Sequence, residues 1–275
     1  MNFLNKIKHY LYKKAQRYIK SYEGYSYDFN KNGEELILKK LKKFNFKTVF
    51  DVGANLGEWT KKATKELKNP TIHIFEISNS AFIELSVLFS NSKNIILNKI
   101  GLSDKEGDVQ YKDYGTSSIV NTLILDSDFD KVSWPAWDVG NLPKIKNTKV
   151  TTGDRYCQKN SIEEIDLLKI DVEGAEDLVL KGFHQKLHEG KIKIIQFEYG
   201  YINGNSKFLI GDFYKLLSKY DYIIGPLKPN GVIFMEFNYA LNNFTSGPNF
   251  IAVHKDQGEI IKAISGNIIE SYPYI

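Results

Sequence analysis

Thr48-Val-Phe-Asp-Val-Gly-Ala-Asn-Leu-Gly-Glu-Trp59, with Ile72-His-Ile-Phe-Glu76 behind it, is the stretch on which the fold turns. Thr48 to Val52 is a short run of β-branched and aromatic side chains that stops at glycines, and helix-compatible residues begin near Glu58. The pattern predicts a strand, a tight turn and a helix. Backbone N–H groups point outward where such a turn meets the helix N-terminus. A nucleotide-like ligand can sit there, and glycines let it approach.

Only Gly53 and Gly57 in that turn are glycines, and Asn55 stands between them. A dinucleotide needs G-x-G-x-x-G so that its pyrophosphate lies against bare backbone, and Asn55 obstructs that. S-Adenosylmethionine has no phosphate; its ammonium and sulfonium are cations, and Asp51 at the strand end suits them. Glu76 closes the second strand 19 residues beyond Gly57, placed to accept from both ribose hydroxyls, a role it would fill equally for NAD. The expected cofactor contacts here are Asp51, Gly53, Asn55, Gly57 and Glu76.

Working outward, Glu58 to Leu67 reads as the first crossover helix, ended by Asn69-Pro70, and Asn79 to Phe89 as the next. Asn94 to Ile100 is a third strand. The order βαβαβ, with right-handed crossovers, builds a parallel Rossmann-like α/β sheet whose ligand crevice lies at the carboxyl ends of its strands. Gly101-Leu-Ser-Asp104 follows the third strand, where an adenine ring belongs. Leu102 could pack on its face with Ser103 beside it and Asp104 accept from its amino group, unless this is a plain turn. Val109 to Lys112 is a further strand after the turn at Lys105-Glu-Gly107.

Residues 113–150 show little regular pattern, and a long irregular segment in a compact domain is usually functional or mobile. Thr116-Ser-Ser118 and Trp134-Pro-Ala-Trp137 offer short polar side chains and aromatic faces, which suit a carbohydrate-like acceptor. Ser117, Ser118, Trp134 and Trp137 are the expected acceptor contacts; the competing reading is a surface excursion.

The second informative stretch is Ile165-Asp-Leu-Leu-Lys-Ile-Asp-Val-Glu-Gly-Ala-Glu176. It predicts a buried strand interrupted by Lys169, a charge that needs a partner. Asp171 and Glu173 leave its carboxyl end on one side of the alternation and can face one cleft. Glu176 and Asp177 fall in the first turn of the following helix, where the macrodipole favours acids, so neither needs a catalytic role. Ile192 to Glu198 is the next strand, Asp212 to Tyr220 a helix, Tyr222 to Gly225 and Val232 to Glu236 strand-like runs, and Phe250 to His254 the last strand. His184 and His188 have zinc-ligand spacing, but Gln185 stands where a metalloprotease carries Glu, so the pair reads as helix surface. His73 reads as a core residue, and His254 as one that could reach an acceptor.

Asp51-Val-Gly-Ala-Asn-Leu-Gly57, Phe75-Glu76, Lys169-Ile-Asp-Val-Glu-Gly-Ala-Glu176 with Val179-Leu-Lys-Gly182, and Phe197-Glu198 together resemble the FkbM-type family of S-adenosylmethionine-dependent methyltransferases, over roughly residues 46–254. The resemblance implies a class I methyltransferase fold, a seven-stranded, mostly parallel sheet with an antiparallel last strand, acting on hydroxyls, often of sugars in glycans. Two positions depart from the family: Thr152-Gly-Asp154 replaces Thr-Leu-Asp, and Ile77-Ser78 stands where a proline commonly follows the glutamate.

These readings give a mechanism. In-line methyl transfer needs apposition and removal of the hydroxyl proton. Asp171 is the first choice for base, Glu173 the second, and Glu198 completes an oxygen-rich site; Asp171 and Glu198 could alternatively hold Mg²⁺. Lys169 either takes part or neutralises one of these carboxylates. The competing functions are a nicotinamide-dependent oxidoreductase of sugar nucleotides and a non-catalytic glycan-assembly subunit.

The chain's 275 residues suit a methyltransferase domain at 46–255, a helical extension at 1–45 and a tail at 256–275. A single cysteine, Cys157, allows no internal disulfide and points to a reducing compartment. The net charge of +4 is mild and its lysines are scattered among acids, which argues against a nucleic-acid partner. No apolar run reaches the roughly 18 residues of a membrane span, so the expectation is a cytoplasmic protein, membrane-associated at most at the inner face. Residues 3–19 alternate Phe3, Leu4, Ile7, Leu11, Ala15, Tyr18 and Ile19 with Lys6, Lys8, Lys13, Lys14 and Arg17. This is a basic amphipathic helix. It either covers one side of the domain, the commoner use, or meets an anionic membrane surface or a partner subunit, a second copy of the chain included. Tyr22 to Phe29 then forms an aromatic loop that can reach back over the site.

Overall fold

The computed structural model describes residues 3–114, 121–125, 143–242, 244 and 247–267. Two helices lead, α1 (Phe3–Tyr22) and α2 (Glu34–Leu41). The expected alternation follows: β1 (Thr48–Val52), α3 (Glu58–Glu66), β2 (Thr71–Phe75), α4 (Asn79–Leu88) and β3 (Ile95–Asn98). Beyond it come β4 (Gly101–Leu102), β5 (Gly107–Asp113), β6 (Lys144–Thr151), α5 (Gly153–Lys159), β7 (Ile165–Ile170), α6 (Glu176–Lys181), α7 (His184–His188) and β8 (Ile192–Glu198). The chain continues through α8 (Asn203–Ser206), α9 (Ile210–Ser218), β9 (Tyr222–Lys228), β10 (Gly231–Val232), β11 (Asn249–His254) and α10 (Gly258–Ile264).

The main sheet has the order β10-β9-β11-β8-β7-β1-β2-β3. β3, β2, β1, β7 and β8 are mutually parallel, and β11 runs antiparallel to both β8 and β9. That is the expected α/β sheet of seven strands with its last strand reversed, extended by the two-residue β10 at the edge. Apolar alternation splits the core. Phe50, Leu168, Ile195 and Phe250 pack on one face with Phe183 and Phe213, and Val49, Leu167, Ile194 and Ile251 on the other with Ile37, Leu41 and Trp59. β1, buried on both faces, is apolar apart from Thr48 and Asp51, because helices cover it on either side.

Four expectations are corrected. β4, β6 and β5 form a second, three-stranded sheet, so residues 144–150 are regular strand and not irregular chain. Of the expected run Val232 to Glu236 only Val232 is in a strand, the two-residue β10. α2 belongs to the domain core through Ile37, Leu38 and Leu41. α1 buries no residue, so it does not cover one side of the domain. No helix among the described residues is long and apolar enough to cross a membrane.

Candidate active site

Parallel strands leave their carboxyl ends on one edge, and β1, β2, β7 and β8 carry the chemistry there. The register sets Asp51 beside Lys169 and Lys169 beside Gln196. All three continue the apolar rows of the α2 and α3 face, so polar groups lie where the core would otherwise run on. Asp51 is fully buried and takes the Thr60 hydroxyl at 2.5 Å and the Lys169 ammonium at 3.1 Å. Lys169 also reaches Asp171 Oδ2 at 3.2 Å and the Gly53 carbonyl at 3.4 Å. Its ammonium is held well above the usual lysine range, because the charges of Asp171 and Asp51 outweigh burial.

Above this row lies a crevice of about 420 Å³, within the range of small-ligand sites. Gly53, Ala54, Asn55 and Leu56 form one wall, with Glu76, Leu102, Trp59, Lys169, Asp171, Glu173 and Glu198 among the rest. Glu76 is fixed by two backbone donors, Asn55 N–H at 2.8 Å and Ser78 N–H at 2.7 Å, one on each carboxylate oxygen. Each oxygen keeps a further lone pair. Burial, the largest influence, holds the Glu76 carboxyl above its ordinary range despite those donors. Gly53 is glycine for a reason the sequence does not display: a Cβ there would lie 1.8 Å from the Asp171 carbonyl oxygen. The residue locks the ends of β1 and β7 together as well as lining the crevice.

At the β7 and β8 end of the crevice, carboxylate oxygens of Asp171, Glu173 and Glu198 come within 4.8 Å of one another. Glu173 and Glu198 are both pushed well above the usual carboxylate range, first by burial and then by the charge of Asp171, to which Glu198 also hydrogen-bonds. Glu173 has a left-handed backbone, φ 56°, uncommon for a residue with a side chain. The Thr122 hydroxyl donates to its carbonyl at 2.7 Å.

The remaining expectations divide. Asn55, Gly53, Glu76 and Leu102 line the crevice, as do Lys169, Asp171, Glu173 and Glu198. Asp51 lies beneath the floor and acts on the crevice through Lys169. Gly57 faces Leu85 and Leu88 of α4 and Phe89 just beyond it. Ser103 is buried, bonded through its backbone to Thr151 at 3.0 Å, and Asp104 is exposed; neither lines the crevice, although Leu102 does. Ser117, Ser118, Trp134 and Trp137 lie outside the described residues. His254 sits at the far end of antiparallel β11 from Asn249, which pairs with Glu198, so it is at the opposite edge from the crevice. His184 and His188 are exposed, and His73 is a core residue bonded to the Tyr156 hydroxyl at 2.9 Å. Gly153 leaves room for the Phe183 ring, 2.3 Å from where its Cβ would be, which accounts for the missing leucine. Asp154 meanwhile accepts from Gln185 and Lys186 N–H.

Of the lining residues not foreseen as site residues, three bear most on the chemistry. Glu34 of α2 is bonded to Asn32 and Gln196 Nε2 at 2.5 and 2.6 Å, and burial raises its carboxyl. The signal is in its spacing: Glu34 falls on the same helical stripe as Ile37, Leu38 and Leu41. Trp59 buries its indole N–H with no partner among the described residues. Tyr27 sits on the aromatic loop Tyr22 to Phe29, which folds back to line the crevice.

The family model described as a Methyltransferase FkbM domain matches residues 51–224. Among solved structures, the chain is similar to methyltransferase FkbM from Methylobacillus flagellatus KT at 13% identity and TM-score 0.44, covering 76% of this chain and 44% of that one. It spans, then, less than half of that relative. Aeropyrum pernix fibrillarin, with natively bound S-adenosyl-L-methionine, aligns at 12% identity and TM-score 0.39 over 80% and 74% of the two chains. A TehB-like SAM-dependent methyltransferase from Corynebacterium glutamicum aligns at 10% identity and TM-score 0.37 over 90% and 97%. No curated protein matches the chain.

Proposed function

The chain belongs to the FkbM methyltransferase family, and from that premise we propose that it takes a methyl group from S-adenosylmethionine and places it on a hydroxyl of a sugar or glycan-related acceptor. One observation carries the choice of cofactor. The described crevice wall holds six carboxylates, Glu34, Glu58, Glu76, Asp171, Glu173 and Glu198, against one cation, Lys169. A doubly cationic amino-acid and sulfonium ligand is attracted there, and the diphosphate of a nicotinamide dinucleotide is repelled. The residues also fit the group in detail: Glu76 has lone pairs for ribose hydroxyls, and Leu102 an apolar face for a base.

Bound there, S-adenosylmethionine supplies an electrophilic methyl group. The chain's own part is to hold the acceptor hydroxyl in line and to take its proton as the new O–C bond forms. Asp171 is the hub of the acidic trio, paired with Lys169 and hydrogen-bonded to Glu198, and the proton passes to that trio. Because burial and mutual repulsion hold Glu173 and Glu198 well above the ordinary carboxylate range, the trio is a stronger base than a solvated acid. Turnover is expected to fall as pH drops through that raised range. A second reading, in which Asp171 and Glu198 bind Mg²⁺, rests on the spacing of the same three carboxylates, since a hard dication takes oxygen ligands; activity unchanged by EDTA would remove it.

The test is incubation with labelled S-adenosylmethionine and a panel of nucleotide sugars and glycans, read by mass spectrometry as a gain of one CH₂. Asp171→Asn is expected to lower kcat by about 100-fold or more while leaving cofactor affinity within about tenfold. Wild-type turnover in that variant would remove Asp171 from the chemistry, and NADH binding without S-adenosylmethionine binding would overturn the whole reading.

A further inference from the structure

α1 is twenty residues long, and none of them is buried against the described domain. At 100° per residue, Phe3, Ile7, Leu11, Ala15 and Tyr18 fall on one side, and Lys6, His9, Lys13, Arg17 and Lys20 on the other. Phe3, Leu11 and Tyr18 are 74%, 59% and 71% exposed. Lys8 sits at one border of the apolar stripe, and Lys14 falls within it, between Phe3 and Ile7. The helix has six lysines and arginines, at 6, 8, 13, 14, 17 and 20, and no acid anywhere along it. Its C-terminal end is tethered: Glu23, the next residue, is buried and ion-paired with Lys228 of β9 at 3.3 Å.

We propose that α1 docks in the plane of an anionic lipid bilayer, with the Phe3, Ile7, Leu11 and Tyr18 stripe among the acyl chains and Lys8 and Lys14 at the headgroups. An apolar stripe opposite a cationic face is the pattern of an interfacial helix, and the long side chains of Lys8 beside the stripe and Lys14 within it reach back to the charged surface. The other occupants fit less well. A second copy of α1 would set six positive charges against six with no acid to pair them, and a knobs-into-holes seam through Leu11 and Tyr18 would have to take in Lys8 or Lys14. A nucleic acid would use the cationic face and leave the apolar stripe in water.

The test is co-sedimentation of the full chain with vesicles of phosphatidylcholine alone and of phosphatidylcholine with phosphatidylglycerol at roughly two to one. Binding is expected to the anionic vesicles only, and to weaken as salt rises. Lys8→Gln with Lys14→Gln is expected to lower the partition coefficient roughly thirtyfold, about fivefold for each cation. Ile7→Asp with Leu11→Asp is expected to abolish binding. Since α1 contributes nothing to the core, both double variants are expected to unfold at the wild-type temperature; a lowered Tm would mean that α1 packs on the domain and would overturn the proposal. Equal binding to neutral vesicles, binding to neither, or a dimer in solution that the Asp variant dissociates would also overturn it.

Discussion

Lys169 governs the electrostatics of the crevice. It is buried between Asp51 and Asp171, and a buried ion pair is dangerous to break because the partner's charge stays behind without compensation. Lys169→Met is therefore expected to destabilise the fold by about 3–5 kcal/mol, measured by denaturant unfolding. Adding Asp51→Asn should recover a large part of that loss, since it removes the charge left stranded; no recovery would mean that Asp51 is not the principal partner. That Lys169 needs a partner was legible as a charge inside an apolar strand. Its pairing with Asp51 was not, because the two meet only through the β1–β7 register, and local pattern does not say which strands lie side by side. For the same reason Asp51 reads from the sequence as a ligand contact and proves to be a buried anchor.

At the scale of elements, the turn from β7 into α6 is built on Glu176. Its carboxylate takes Val172 N–H at 3.2 Å, Gly174 N–H at 3.1 Å and Asn203 Nδ2 at 3.0 Å. A first-turn acid was legible, but its inward direction was not. Glu176→Ala would leave two buried donors and one half-buried donor unmet and is expected to cost about 3 kcal/mol. Burial, the largest influence, nevertheless raises this carboxyl to about 7. A carboxyl raised on folding binds more protons folded than unfolded, so its stabilising contribution is complete below the ordinary carboxylate range and is lost as pH rises through about 7. Comparing unfolding free energies of wild type and Glu176→Gln across that window should show a shallower decline in the variant, by a few kcal/mol at most; parallel curves would refute the assignment. β6 escaped notice at this scale because most of Lys144 to Lys149 is exposed and only Val150 and Thr151 are buried. The strand lacks the apolar alternation that marks others.

The whole molecule carries a formal net charge of +4, yet its crevice is acidic and α1 is uniformly basic. Charge is sorted by place, which a total conceals. Inside the crevice the carboxyls of Glu34, Glu76, Glu173 and Glu198 are all held above their ordinary range, because burial penalises their ionised forms and one lysine cannot neutralise them all. A bound cation favours the ionised form and lowers each pKa. Protons must then leave as S-adenosylmethionine enters, by the same linkage that ties protonation to folding. Titration calorimetry near neutral pH, in two buffers of different ionisation enthalpy, is expected to show net proton release on binding. Glu76→Gln is expected to reduce that release and to weaken affinity about 10- to 100-fold, the worth of one or two charge-assisted hydrogen bonds. Heats that do not depend on the buffer would mean the carboxylates are already ionised or lie away from the cationic ligand, and either result would remove the electrostatic basis for assigning S-adenosylmethionine to this crevice.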